Sequence, residues 1–167
     1  MKHHKAIIIN GASSSGTTSL VLAFSQHYPE YTPVYIDSFI DTLSKDMWLR
    51  CASTDEGWAE IGIAFNTHIS KLVNEGKTVI ADTFYQLPVV QEHLCNTLGR
   101  KNVFLVQLFC ELEELEQREL IRGNRRIGLA RGQFTRVYSL ETYDLQIDST
   151  HQSTDECSKI LHHHLST

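Results

Sequence analysis

The chain has 167 residues, 41% of them hydrophobic and 21% charged, with a formal net charge of −5 at pH 7. That length can bury one sizeable core without disulfides or a structural metal. The acidic balance argues against a general nucleic-acid binder, and no apolar run approaches the roughly 20 residues that cross a bilayer. Four widely separated cysteines, Cys51, Cys95, Cys110 and Cys157, suit a reducing compartment better than a disulfide framework. The apolar run at 6–9 is too short for a signal peptide. The expectation is a cytoplasmic protein of one domain, with neither membrane nor nucleic acid as partner.

The first apolar run passes directly into Asn10-Gly11-Ala12-Ser13-Ser14-Ser15-Gly16-Thr17-Thr18, then into a helical pattern predicted to reach His27. Strand, glycine-rich loop and helix form the setting of a phosphate-binding loop, and G-x-x-x-x-G-K-[ST] is met at Gly11, Gly16 and Thr18. Thr17 stands where the lysine belongs. Gly11, Ala12, Ser13, Ser14, Ser15, Gly16, Thr17 and Thr18 are therefore expected to cradle phosphate, because backbone N–H groups can turn inward there at the positive end of a helix. The Thr18 hydroxyl can ligand the Mg²⁺ that accompanies a nucleoside triphosphate. Losing the lysine resembles losing one preorganised donor, about 3 kcal/mol or roughly two decades in rate. The alternative is a Ser/Gly turn that binds nothing.

A second run, 34–36, ends in Asp37 and leads to a short helix over 38–43. Residues 45–57 show no periodicity and read as an irregular excursion. An amphipathic helix follows, with Ile61, Phe65, Ile69, Leu72 and Val73 on one stripe and Gly76 ending it. The third run, 78–81, stops at Asp82. Pro88 opens a helix over 88–98 that Gly99 closes, and the most hydrophobic run, 103–109, is expected at or near the centre of the sheet. Residues 111–122 read as a helix with acids first and arginines last. The fifth run is 143–147, and Ser153 with Glu156 forms a capping box for a closing helix. Strands alternating with helices imply a parallel sheet covered on both faces.

In such a sheet ligands sit beyond the carboxyl ends of the strands, where the loop, Asp37 and Asp82 all fall. Asp37 is the candidate base that accepts a proton from a hydroxyl attacking phosphorus. Asp82 is the candidate to hold Mg²⁺, directly or through water. Alternatively each aspartate caps the helix after it. Six of the eight arginines lie between 118 and 136. Arg125, Arg126 and Arg131, set among Gly123, Gly128 and Gly132, read as a lid over residues 122–136 that brings guanidinium groups to phosphates. The rival is a solvated face paired with Glu111, Glu113, Glu114 and Glu116, with Arg118 and Arg122 as structural members. His162, His163 and His164 are consecutive on a helix and cannot converge on one metal. Trp48 and Trp58 belong either to an acceptor pocket or to the core.

Taken in order, the segments 9–16, 36–39, 79–82, 122–125, 128–133 and 143–148 make the chain resemble the chloramphenicol phosphotransferase-like family of P-loop kinases over nearly its whole length. The resemblance implies an α/β three-layer P-loop NTPase fold with five parallel strands, of nucleoside-monophosphate-kinase type. It further implies an enzyme that takes ATP with Mg²⁺ and phosphorylates a hydroxyl on a small-molecule acceptor, chloramphenicol being one candidate. By the family pattern Asp37 is the base, Gly11 to Thr18 the phosphate loop, and Arg125, Arg131 and Arg136 the lid or substrate arginines. Thr17 departs from that pattern and opens the alternative of a catalytically impaired relative that binds a nucleotide or another anion.

Overall fold

A computed structural model describes residues 4–123 and 126–167. Its strands are β1 (Ala6–Asn10), β2 (Tyr31–Tyr35), β3 (Thr78–Thr83), β4 (Val103–Phe109) and β5 (Leu145–Asp148). Its helices are α1 (Thr17–His27), α2 (Ile36–Ile40), α3 (Lys45–Cys51), α4 (Asp55–Asn74), α5 (Pro88–Leu98), α6 (Leu112–Arg122), α7 (Leu129–Tyr138) and α8 (Thr154–Ser166). The five strands form one parallel sheet in the order β2-β3-β1-β4-β5.

Every residue of β1 is buried, because the central strand has a paired neighbour on each edge and helices on each face. Its unbroken apolar run follows from that double burial. On one face Ile7 and Ile9 pack with Leu20 and Phe24 of α1 and Leu161 of α8. On the other, Ile8 packs with Phe65 and Ile69 of α4 and Leu94 of α5. Pro33 is tolerated because β2 is an edge strand, and β4 lies next to the centre, as its hydrophobicity requires.

Two regions differ from expectation. Residues 45–57 are not irregular: α3 and the start of α4 form a tight helical hairpin, each helix opened by a side-chain cap. Ser44 Oγ accepts from Met47 N at 3.2 Å and Thr54 Oγ1 from Gly57 N at 3.0 Å. Gly57 is obligatory there, since a Cβ would lie 2.1 Å from the Cys51 carbonyl oxygen. Seven residues span barely two turns, too few for a hydrophobic period to register.

The expected lid, 122–136, is divided. Its second half is α7, which buries Ala130, Gln133 and Val137, Ala130 packing against Ala12, Cys110 and Leu115. Gly128 precedes α7 without a side-chain cap of its own. The buried Glu119 of α6 supplies one, accepting from Gly128 N at 2.7 Å and Ala130 N at 2.9 Å.

Candidate active site

Gly11 to Thr18 follow the central strand and open α1, at the carboxyl edge of the sheet. Gly11 N donates to Thr83 O at 3.1 Å and Ser15 N to Ala12 O at 3.1 Å, which closes the loop on itself. A Cβ on Gly11 would meet Ser15 Oγ at 2.4 Å and the Leu108 carbonyl oxygen at 2.9 Å, so the first glycine is required for packing. Ser14 has φ +69° and Gly16 φ +98°, left-handed conformations that turn successive amides to one side. The amides of Gly16, Thr17 and Thr18 have no acceptor among the described residues. Ser14 Oγ is buried with no hydrogen-bond partner. Such unmatched donors at a helix start fit a polyphosphate.

One amide is already taken. Ser13 N donates to Gln133 Oε1 at 2.8 Å, so the buried Gln133 of α7 places a carbonyl oxygen against the loop. Beneath the loop, the Tyr138 hydroxyl donates to Leu108 O at 3.1 Å. Burial pushes that phenol well above its ordinary range, so it remains a neutral donor. Helix α7 thus buttresses the Gly11–Thr18 loop.

Asp82 is the last residue but one of β3 and is buried. Its Oδ2 accepts from Thr18 Oγ1 at 2.5 Å, and its Oδ1 from Ile36 N at 2.8 Å. The first amide of α2 is therefore capped by Asp82 from a neighbouring strand, whereas the aspartate-capping alternative put Asp82 on the helix following its own strand. Asp37 is the next residue of α2, half-buried, and faces the same cavity. Thr18 and Asp82 offer hard oxygens side by side, which suits Mg²⁺ held by one or two protein groups plus substrate phosphates. Among the described residues no cluster of three His, Cys, Asp or Glu side chains could hold an ion unaided.

The cavity over the loop measures ≈ 1270 Å³, more than the few hundred to about 1,000 Å³ usual for one ligand. Its lining draws Arg118, Arg122 and Gln133 from the elements after β4, and Ile40, Leu43, Trp48 and Phe84 from the segments after β2 and β3. Trp48 meets Trp58 edge-on at 5.7 Å, and Trp58 meets Phe84 edge-on at 5.5 Å, forming a continuous aromatic wall. That wall is anchored by Asn10, whose amide is fully engaged. Its Nδ2 donates to Tyr85 O at 3.2 Å, and its Oδ1 accepts from Tyr85 N at 2.6 Å and Thr83 Oγ1 at 2.9 Å.

The described arginines divide between the lid reading and the solvated-face reading. Arg131 is not among the residues lining the cavity; its guanidinium grips Glu116 through two bonds, at 2.6 and 3.0 Å. Arg136 pairs with Asp55 at 2.7 Å, and Arg125 lies outside the described residues. Arg118 and Arg122, assigned by the solvated-face reading to structural roles, line the cavity. Arg118 is also structural, bonded to Glu114 at 2.7 Å and to Ser149 O at 2.7 Å. Sequence reasoning missed Gln133, Lys45 and Phe84 as site residues; for Phe84 the signal was its place two residues beyond Asp82.

A glycine-rich loop at the end of the central strand, a hydroxyl and a carboxylate joined beside it, and this strand order define the fold of the P-loop kinases. The chain belongs to the chloramphenicol phosphotransferase-like family, whose model matches residues 4–166. A Mycobacterium tuberculosis protein of strain H37Rv, provisionally named an O-phosphotransferase, is 26% identical over 185 residues, covering 97% of this chain and 82% of that relative. Among solved structures, the M. tuberculosis APS kinase in complex with AMPPNP and APS superposes with a TM-score of 0.80 at 17% identity, covering 99% of both chains. The shikimate kinase of Acinetobacter baumannii in complex with shikimate gives 0.71 at 16%, covering 99% of this chain and 95% of that one. At those identities the structures establish the fold.

Proposed function

We propose that the protein is a cytoplasmic small-molecule kinase that transfers the terminal phosphoryl group of ATP to a hydroxyl. The observation that carries this reading is the convergence of the phosphate loop, the Thr18–Asp82 pair and Asp37 on one cavity large enough for donor and acceptor. Gly16, Thr17 and Thr18 bind the phosphates through their amides. Thr18 and Asp82 would hold Mg²⁺, which would supply charge to offset that on the phosphates. Asp37 takes the proton of the acceptor hydroxyl as its oxygen bonds to the terminal phosphorus, and the bond from that phosphorus to the bridging oxygen breaks to release ADP. The aromatic wall suits an acceptor with a flat apolar body, and chloramphenicol has that character.

A mass-spectrometric screen of hydroxyl-bearing compounds for ATP-dependent gain of one phosphate tests this, with Asp37→Asn alongside. The variant should keep nucleotide affinity and lose about two to four decades of turnover. Equal turnover in both proteins would remove Asp37 from the chemistry. The second reading, a relative that binds nucleotide without turning it over, is favoured by Thr17 and by the Gln133 oxygen already on the Ser13 amide. Nucleotide binding with no acceptor modified would support it.

A further inference from the structure

The missing loop lysine leaves a gap in charge that the cavity itself addresses. Thr17 cannot fill it: its methyl group turns down toward Gly11, 2.8 Å from where a Cβ on that residue would sit. Among the described residues the cations lining the cavity are Lys45, Arg118 and Arg122. Arg118 is committed, its Nε on Glu114 and its Nη2 on the carbonyls of Ser149 and Thr150 at 2.7 and 3.3 Å. Arg122 is the last residue of α6, one turn beyond Arg118.

Lys45 stands on the wall that carries the base. It follows Asp37 by eight residues through α2 and the capped start of α3, and it lines the cavity together with Trp48, three positions on and on the same helix face. Its ammonium makes no ion pair or hydrogen bond among the described residues. Described acids in the lining are Asp37, Asp41 and Asp82. Mg–ATP brings net negative charge to a site where, among the described residues, the uncommitted cation on the acceptor side is Lys45. A flexible stem ending in a compact point charge is what the usual loop lysine supplies.

Resting on the kinase reading, we infer that Lys45 takes the part of the absent loop lysine, reaching from the acceptor wall to the terminal phosphoryl group. The charge lies in α3 rather than in the loop, so it comes into place with the acceptor wall. In the transfer step Lys45 keeps its proton; it offsets charge on the phosphoryl oxygens while the new oxygen–phosphorus bond forms and the old one breaks.

Calorimetry with Mg–AMPPNP and Mg–ADP tests this on wild type, Lys45→Met, Thr17→Lys and the double variant. Lys45 is exposed, so the variants should fold, as circular dichroism will verify. Lys45→Met should weaken Mg–AMPPNP about tenfold while leaving Mg–ADP within about twofold, the loss of one charged contact to the terminal phosphate. Thr17→Lys in the same chain should restore the preference. Equal weakening of both nucleotides, no weakening, or a loss that Thr17→Lys fails to restore would each overturn the assignment of Lys45 and leave the kinase reading standing. A wild-type protein that binds neither nucleotide would sink both.

Discussion

Asn10 shows how one buried side chain sets the site. It is 1% exposed and bonds to Thr83, Tyr85 and the Tyr143 hydroxyl, at 2.7 Å for the last. From Tyr85 the chain of polar contacts continues through the phenol to Asn66, and Asn66 Nδ2 donates to Val90 O at 2.7 Å. Every group is matched, which is the condition for a buried polar network to fix a single geometry. Asn10→Ala strands two donors, the Thr83 hydroxyl and the Tyr85 amide, and two acceptors, and should cost about 3 kcal/mol in chemical unfolding. Because Phe84 adjoins Tyr85 in the wall, the variant should also raise KM for the acceptor more than for ATP. Gln133 acts with equal locality on the other side of the loop. Gln133→Glu would hold a carboxylate against the Ser13 amide, and its charge beside the phosphates should weaken Mg–ATP about tenfold by calorimetry. Unchanged affinity would mean that the phosphates stop short of Ser13.

At the scale of elements, α8 carries a capping box in full: Ser153 N donates to Glu156 Oε2 at 2.8 Å, and Glu156 N to Ser153 Oγ at 3.3 Å. The bonds from the Ser153 amide and hydroxyl hold the Glu156 carboxyl below its usual range. A carboxyl lowered on folding stabilises the fold above its unfolded pKa, and that contribution fades as pH falls through the lowered value. Thermal melts from neutral pH into the acid range should therefore show wild type ahead of Glu156→Gln at neutrality, and the gap closing in acid. A constant gap would put the effect elsewhere. This box was legible because Ser153 and Glu156 are three apart in sequence. So was β1, whose apolar run matches a strand buried on both faces, and so was the loop. What was not legible shares one cause. Helix α3 is too short to show a period, Glu119 caps a helix beyond a glycine break, and Gln133 meets an amide 120 residues away. A polar residue on an amphipathic helix reads as solvent-facing until the partner across the fold is known. For Arg131 the sequence left two readings, a lid guanidinium set among glycines or a partner of the α6 acids, and Glu116, fifteen residues before it, holds its guanidinium.

For the molecule as a whole, strand order fixes where a ligand can stabilise it. With β3 on one edge of β1 and β4 on the other, the helices after β1 and β3 leave toward opposite faces, opening a crevice at the carboxyl ends where ligands settle. The phosphate loop, Asp82 and the start of α2 all border that crevice, and they join the central strand, its neighbour and the edge strand β2 through Thr18, Asp82 and Ile36. A polyphosphate there adds a tie among the loop, β3 and the start of α2, whose side-chain links at this edge are the two bonds of Asp82. Binding to the folded state alone adds about 2.7 kcal/mol when ligand stands at 100 times its dissociation constant. For a chain of this length each kcal/mol raises Tm by roughly 2–4 °C, a shift of about 5–11 °C. The shift should follow phosphate count with Mg²⁺ present, ATP above ADP above AMP, and inorganic triphosphate should reproduce most of it. Adenosine alone should do little. If adenosine stabilised the protein as much as ATP, binding would rest on the base rather than the loop, and Gly11 to Thr18 would be a turn that shapes the cavity without holding a phosphate.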